Sequence, residues 1–150
     1  MKIKKATKKD FKEYLKMKRE EEKDLSKRAG RKINYPKNSI LKKQFKKSLF
    51  SKKDLILVVE ENNKLIGYIH GSYFKNPYEL GGYVEDIFVL KEFRRRGIAK
   101  GLINEFIKIL KKKKYRIIQL SVNVKNKNAI KLYEKLGFWI YHYDFRKEIK

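Results

Sequence analysis

Residues 89–99, Val89-Leu-Lys-Glu-Phe-Arg-Arg-Arg-Gly-Ile-Ala99, decide how the rest of the chain is interpreted. A strand-like apolar run ends here, and a helical pattern of apolar residues begins at Ile98. The first N–H groups of a helix lack intrahelical acceptors and readily bind anions. Gly97 and Ala99 let a diphosphate approach the backbone, and Arg94 to Arg96 add positive charge. The stretch therefore predicts an anion cradle between a strand and a helix.

The cradle differs from the common nucleotide motifs. A dinucleotide-binding fingerprint needs more glycines, and a P-loop ends in Gly-Lys-Ser or Gly-Lys-Thr. The strand before the cradle is predicted over 82–90, and its alternation separates two sets of side chains. One face is expected to carry Tyr83, Glu85, Ile87 and Val89, and the other Asp86 and Phe88. Two adjacent carboxylates would therefore point apart.

Further elements are predicted on both sides of the cradle. Downstream come a helix from Ile98 to the basic run at Lys111, a strand over 116–122, a helix over 127–136 stopped by Gly137, and a closing strand over 138–145. Upstream come a strand at Ile3, a helix with Thr7 and Asp10 in capping-box spacing, a second helix capped by Asn38 or Ser39, and a hairpin of 55–59 with 65–73. This order predicts a mixed α/β (α+β) domain over residues 1–150, with a mostly antiparallel central sheet flanked by helices.

Two blocks of the sequence resemble the GNAT (general-control-type) N-acetyltransferase family. Arg94-x-x-Gly97-x-Ala99 is similar to the family's pyrophosphate loop. Asn126-x-x-Ala129-x-x-Leu-Tyr-Glu-Lys-Leu-Gly-Phe138 is similar to its second signature, and the spacing between the blocks also fits. The strand over 83–89 resembles those of polyamine and amino-sugar acetyltransferases, whose acceptors carry opposite charges.

The resemblance implies acetyl-CoA as co-substrate and assigns roles to residues of this chain. Backbone N–H groups of the loop would hold the CoA pyrophosphate, with Lys100 assisting. The strand edge would pair with the pantetheine arm, the Val89 N–H would polarise the thioester carbonyl, and Asn126 would hydrogen-bond the arm. The predicted cofactor-binding residues are Ile87, Phe88, Val89, Arg94, Arg95, Arg96, Gly97, Ile98, Ala99, Lys100, Asn126 and Tyr133.

Two side chains are predicted to carry the chemistry. An amine with a pKa near 10.4 is protonated at pH 7, and removing that proton costs about 4.6 kcal/mol. Glu85 is the candidate base, directly or through water, because it shares a strand face with Ile87 and Val89. Tyr133 occupies the family's general-acid position, from which it would protonate the departing thiolate. Asp86 ranks below Glu85.

The amino-acid composition limits the classes of binding partner but does not identify the acceptor. The formal net charge of +24 attracts polyanions, so nucleic acid is compatible as a partner but not required. A small amine, polyamine-like or amino-sugar-like, is slightly favoured, although a polycation needs a local acidic patch such as Glu20, Glu21, Glu22 and Asp24. Protein lysine or N-terminal acceptors stay open, as do a non-catalytic basic RNA- or ribosome-binding module and a homodimer.

The sequence also argues against thiol chemistry, a metal site and a membrane span. With no cysteine, a thiol nucleophile and a thiolate metal site are excluded, and a reducing cytoplasm is the expected location. His70 and His142 lack metal-ligand spacing, so no metal is predicted. No apolar run approaches the roughly 18 residues of a membrane span, so no membrane partner is expected.

Overall fold

A five-stranded sheet in the order β1-β2-β3-β4-β5 is the centre of the computed structural model, which describes residues 1–147 and 149. Neighbouring strands are antiparallel except β4 and β5, which are parallel. The strands are β1 (Lys2–Lys5), β2 (Asp54–Glu61), β3 (Lys64–Lys75), β4 (Leu80–Val89) and β5 (Ile117–Leu120). The helices are α1 (Phe11–Ala29), α2 (Asn38–Phe50), α3 (Ile98–Lys112) and α4 (Lys127–Lys135). The predicted mixed, mostly antiparallel architecture is confirmed.

Helices α1 and α2 cover one face of the sheet through an aromatic cluster. Tyr14 of α1 lies 4.7 Å from the ring of Phe45 and 4.8 Å from the ring of Tyr68, measured between centroids. Val58 and Tyr68 are fully buried beneath the helices. Aromatic pairs at these distances add to the free energy gained from apolar burial, so this cluster fixes α1 against β3.

Helices α3 and α4 cover the other face, where Phe106 is fully buried. Its ring lies over two glycines of adjacent strands. A Cβ at Gly71 would meet the Phe106 Cζ at 2.5 Å, and a Cβ at Gly82 would meet it at 2.8 Å. Real Cβ atoms do not approach carbon this closely, so both positions require glycine for α3 to reach the sheet.

The predicted start of α1 is confirmed, and that of α2 is wrong in detail. The Thr7 backbone N–H donates to the Asp10 carboxylate at 2.7 Å, as a capping box requires. Helix α2 begins at Asn38 itself, and Lys37 occupies the cap position. The Asn38 amide oxygen instead accepts a hydrogen bond from the Arg19 Nε at 2.9 Å. A polar side chain near a helix start cannot show from sequence alone which partner it bonds.

The closing strand predicted over 138–145 is absent from the described residues. After α4 ends and Gly137 takes a left-handed φ of 84°, residues 138–147 form neither helix nor strand. Trp139, Tyr141, Tyr143 and Phe145 are all more than 70% exposed. Alternating aromatics show that a segment could form a strand, but a strand also needs an edge that supplies its hydrogen bonds.

The described residues contain no helix that is both long and apolar enough to cross a bilayer. Across that same part of the chain, no three side chains of the metal-binding types converge on a common point.

Candidate active site

The sheet opens into a wedge between β4 and β5. Pairing of the two strands ends at Val84 and Leu120. Beyond Val84, β4 continues to Val89 and pairs only with β3. The wedge therefore leaves one edge of β4 open from Glu85 to Val89.

The backbone of this open edge is oriented for pairing. The Leu90 N–H donates to the Ile66 carbonyl at 3.0 Å, toward β3. Neighbouring residues of an antiparallel strand turn their backbone groups to opposite edges, so Val89 and Ile87 turn theirs into the wedge. Phe88 turns its backbone to β3, and its ring is buried against α1. Of the three strand residues predicted to bind the cofactor, Ile87 and Val89 therefore present their backbone groups to the wedge, and Phe88 does not.

The loop between β4 and α3 presents a run of free backbone donors. Arg95 and Gly97 adopt left-handed conformations, with φ of 66° and 76°. Among residues 1–147, no acceptor is found for the backbone N–H groups of residues 95–100. A Cβ at Gly97 would meet no atom within 4 Å, so the space before the helix is open. Consecutive N–H groups at a helix start form a concavity that suits a phosphate group.

Two of the loop's three arginines, Arg94 and Arg96, hold the loop in place through ion pairs. Arg94 ion-pairs with Asp24, and its Nε donates to the Val89 carbonyl at 2.9 Å. Arg96 ion-pairs with Glu61 at 2.7 Å. Arg95 makes no ion pair within residues 1–147. The loop's anion-binding capacity therefore lies in its backbone and in the Arg95 side chain more than in the other two arginines.

A buried polar network lies on the α1 side of β4. The Tyr68 hydroxyl lies 2.8 Å from the Glu21 carboxylate and 2.6 Å from the Asp86 carboxylate. The Lys18 Nζ contacts the same three groups and ion-pairs with both carboxylates. Tyr35 donates a further hydrogen bond to Glu21. One lysine and two tyrosines therefore hold two carboxylates together.

The pKa values of this network follow from its burial and charges. The pKa of Glu21 is raised to about 7, chiefly by burial and then by the neighbouring Asp86, and Lys18 offsets only part of this rise. Burial opposes ionisation of Asp86 as well, but hydrogen bonding with Glu21 and the charge of Lys18 lower its pKa. Lys18 stays charged because Asp86 and Glu21 raise its pKa against the effect of burial. Of the pair, Asp86 is therefore the carboxylate that ionises first, and Glu21 is the one that holds a proton more readily.

A β-bulge corrects the predicted facing of the two carboxylates. His70 pairs with Asp86, but the next residue of β3, Gly71, pairs with Val84, so Glu85 is an extra residue in β4. A bulge breaks the strict alternation of a strand. Glu85 and Asp86 consequently line the same cavity instead of opposite faces. The Glu85 carboxylate is exposed and accepts a hydrogen bond from the Ser72 hydroxyl.

Tyr133 and Asn126 sit at the ends of α4. Tyr133 is half-buried against the α3 side of the sheet, 5.8 Å from the Phe138 ring. Burial raises the pKa of Tyr133, and the charge of Asp86 adds to the effect, so the phenol keeps its proton at neutral pH. The Asn126 amide oxygen accepts from the Ala129 N–H at 3.4 Å and caps the helix.

A cavity of about 590 Å³ lies between α1, α2 and the sheet. Tyr14, Tyr35 and Phe45 form apolar parts of its wall. Its charged lining consists of four carboxylates and two lysines: Glu21, Asp54, Glu85, Asp86, Lys18 and Lys47. The cavity borders the wedge through Glu85, the first β4 residue beyond the pairing with β5. The cavity is therefore open to a molecule that lies beside β4.

The buried network was not predicted from the sequence, although one feature of α1 points to it. Glu21 lies seven residues after Tyr14 and four after Met17, so it belongs to the apolar stripe of α1. A carboxylate on such a stripe is buried and needs a partner. Of the four residues considered as an acidic patch, Glu20, Glu22 and Asp24 each ion-pair with a lysine or arginine, and Glu21 lines the cavity.

The chain also matches a known protein family. The family model described as the acetyltransferase (GNAT) family matches residues 14–138. The chain belongs to the GNAT family. An uncharacterized N-acetyltransferase of Methanocaldococcus jannaschii is 36% identical over 110 residues, which is 71% of this chain and 49% of that protein.

Another relative carries a name that states its substrate class. The catalytic subunit of an N-terminal acetyltransferase B complex from Arabidopsis thaliana is 39% identical over 80 residues, 53% of this chain and 46% of that protein. The chain thus spans about half the length of these curated relatives.

Solved structures share the fold of this GNAT chain. A tetramutant of a Bacillus halodurans protein superposes with a TM-score of 0.89 at 21% identity, covering 99% of this chain and 100% of the other. An aminoglycoside 6'-N-acetyltransferase from Acinetobacter haemolyticus gives 0.76 at 21% identity, with both chains fully covered. At these identities the likeness shows the fold and leaves the acceptor open.

Proposed function

We propose that this GNAT protein, acting as one domain over residues 1–150, transfers an acetyl group from acetyl-CoA to a primary amine by direct attack in a ternary complex. The observation that carries the proposal is the open β4 edge leading directly into the free N–H groups of residues 95–100. An extended chain ending in a diphosphate fits such an edge and cradle. GNAT proteins in general use acetyl-CoA in this way.

The cofactor roles follow from that placement. The CoA pyrophosphate binds the backbone of 95–100, with the Arg95 and Lys100 side chains beside it. The pantetheine arm pairs with Ile87 and Val89, and the Val89 N–H donates to the thioester carbonyl as negative charge develops there. Asn126 offers its amide N–H₂ to the arm, because its oxygen already caps α4.

Acid and base lie on opposite sides of the wedge. Glu85, exposed at the cavity mouth, takes one proton from the ammonium, directly or through water. The amine nitrogen then bonds to the carbonyl carbon, and the C–S bond breaks. Tyr133 donates its proton to the leaving thiolate and regains one from the nitrogen. The products are the acetamide and CoA thiol, and one proton reaches solvent.

Two observations bear on the acceptor. The cavity carboxylates favour a cationic small amine over an amino-sugar phosphate, since acidic side chains outnumber the lysines of the lining by four to two. A protein N-terminus is the second candidate, because a relative is named as the catalytic subunit of an N-terminal acetyltransferase complex. A non-catalytic basic module is the remaining alternative, and it would bind nucleic acid without binding acetyl-CoA.

Acetyl-CoA binding by calorimetry, on wild type and on Gly97→Glu, tests the proposal. The new carboxylate would stand in the diphosphate cradle, and we expect binding to fall at least a hundredfold. Gly30→Glu is the matched control, because Gly30 also has a left-handed φ, of 66°, and open space around it. The control should bind like wild type. Equal binding by wild type and Gly97→Glu, or none by wild type at millimolar acetyl-CoA, would refute the proposed cofactor site.

A further inference from the structure

The cavity beside β4 carries the opposite sign of charge to the rest of the chain. The chain has 41 Lys and Arg against 17 Asp and Glu, yet the cavity lining has four carboxylates against two lysines. Lys18 is fully engaged at the inner end by Glu21 and Asp86. A solvated basic surface explains none of this local inversion, whereas a cationic ligand does.

Two carboxylates in the outer part of the cavity are left without a lysine or arginine partner among residues 1–147. Asp54 lies in β2 and contacts the His70 Nε2 at 3.7 Å. Glu85 lies in β4 and accepts its hydrogen bond from Ser72 of β3. Ser72 is also the residue directly opposite Asp54 in the β2–β3 register. Asp54 and Glu85 therefore flank one residue of the middle strand.

The spacing of the sheet sets the separation of the strands that carry the two charges. Neighbouring strands are about 4.8 Å apart, so the strands bearing Asp54 and Glu85 are about 10 Å apart. The aromatic wall formed by Tyr14, Tyr35 and Phe45 borders the same cavity. Methylene groups gain free energy against such a wall, while ammonium groups gain it at the carboxylates. The shape and charge together match a linear molecule with two ammonium groups joined by an apolar chain.

We propose that the acceptor of the reaction is a linear polyamine, with its reacting amine at Glu85 and a second ammonium bound by Asp54. The statement rests on the proposed acetyl transfer and names its substrate class. Asp54 is then a specificity-determining residue that contacts the acceptor and takes no part in bond making. A monoamine would leave Asp54 without a partner, and so would a peptide whose N-terminus is followed by neutral residues.

Calorimetry with spermidine and n-butylamine tests the second anchor directly. We expect wild type to bind spermidine at least ten times more tightly than n-butylamine. Asp54→Asn should weaken spermidine binding about tenfold and leave n-butylamine binding unchanged. Glu105→Gln is the matched control, because it removes a half-exposed carboxylate from α3, away from the cavity, and it should bind both amines like wild type. Circular dichroism melting confirms that each variant is folded.

Several outcomes would overturn the inference. Equal affinity of wild type for the two amines would do so, as would spermidine binding that Asp54→Asn leaves intact, or no spermidine binding at millimolar concentration.

Thiol release in the same samples separates this inference from the proposed function. Release with spermidine and a raised KM but unchanged kcat in Asp54→Asn supports both. Release only with a peptide bearing a free N-terminus keeps acetyl transfer and overturns the polyamine acceptor. Spermidine binding that depends on Asp54, without thiol release from any amine, keeps the cation site and overturns the proposed reaction.

Discussion

At the scale of single residues, the buried Glu21 illustrates how position changes chemistry. Glu20 and Glu22, its neighbours in sequence, are ordinary surface carboxylates paired with Lys23 and Arg19. Glu21 faces the sheet, where it meets Lys18, two tyrosine hydroxyls and Asp86. Its raised pKa follows from burial beside a second carboxylate, and it has a consequence for stability.

The raised pKa of Glu21 predicts a loss of stability as pH rises. The folded value of about 7 lies above the ordinary value of 4.5, so the unfolded chain releases this proton first. The stabilisation from holding the neutral form is complete below about pH 4.5 and is lost as pH rises through about 7. Glu21→Gln keeps the neutral shape, so its stability relative to wild type should rise by about 2 to 3 kcal/mol between about pH 5 and pH 8.

Urea unfolding of both proteins at the two pH values measures this difference. The lowered pKa of Asp86 changes the stability only below about pH 3.8, its ordinary value, and therefore outside the range from pH 5 to pH 8. Glu13→Gln, on the exposed side of α1 and paired with Lys16, serves as the control and should show no such pH dependence. A stability difference for Glu21→Gln that stays constant with pH would contradict the assignment.

Tyr133→Phe removes the proposed general acid and keeps the ring in its packing site. We expect kcat to fall by about 10² to 10³, because thiolate departure loses its proton donor. Acetyl-CoA affinity, measured by calorimetry, should change less than about threefold. Tyr143→Phe removes a hydroxyl from an exposed ring near the C-terminus and should leave kcat as in wild type. An unaltered kcat in Tyr133→Phe would exclude the acid role.

At the scale of elements, β4 shows what sequence could predict and what it could not. The strand and the following helix could be predicted because the repeat of apolar residues changes from every 2 to every 3.6 residues across 89–98. The bulge at Glu85 was not, because it arises from register with β3, and a single strand's pattern carries no register information. The Asp54 position in the cavity was missed for the same reason. Local pattern therefore predicted the strand, loop and helix of the proposed cofactor site better than the cavity beside them.

Packing of α3 on the sheet predicts the effect of one methyl group. Gly71→Ala places a Cβ 2.5 Å from the Phe106 ring, so strand and helix must separate. We expect a loss of about 1 to 3 kcal/mol, read from urea unfolding. Gly101→Ala, within α3, meets its nearest atom at 3.4 Å and should stabilise by up to about 1 kcal/mol. A Gly71→Ala protein as stable as wild type would show that this contact is looser than described.

At the scale of the whole molecule, the formal net charge of +24 acts against folding. Like charges on one surface repel, and a compact state brings them closer than an unfolded chain does. The chain offsets part of this repulsion with ion pairs such as Arg94–Asp24 and Arg96–Glu61. Most of its basic side chains still have no acidic partner, since they outnumber the carboxylates by more than two to one.

Salt should therefore stabilise this protein. Raising sodium chloride from about 0.01 M to about 0.5 M shortens the screening length several-fold, and we expect Tm to rise by about 3 °C. Potassium chloride should give the same rise, because the effect depends on ionic strength. Differential scanning calorimetry measures both series, and a Tm that falls with either salt would show that the ion pairs outweigh the repulsion.

The bulge at Glu85 has a consequence for protein engineering. Because the inserted residue resets the alternation of β4, substitutions at residues 80–85 and those at 86–89 follow separate inward and outward patterns. A mutant library aimed at a new acceptor can then be confined to Asp54 and Ser72, without randomising the proposed base Glu85 or the β4 edge proposed to receive the thioester. Selectivity and cofactor use become adjustable in separate rounds of directed evolution.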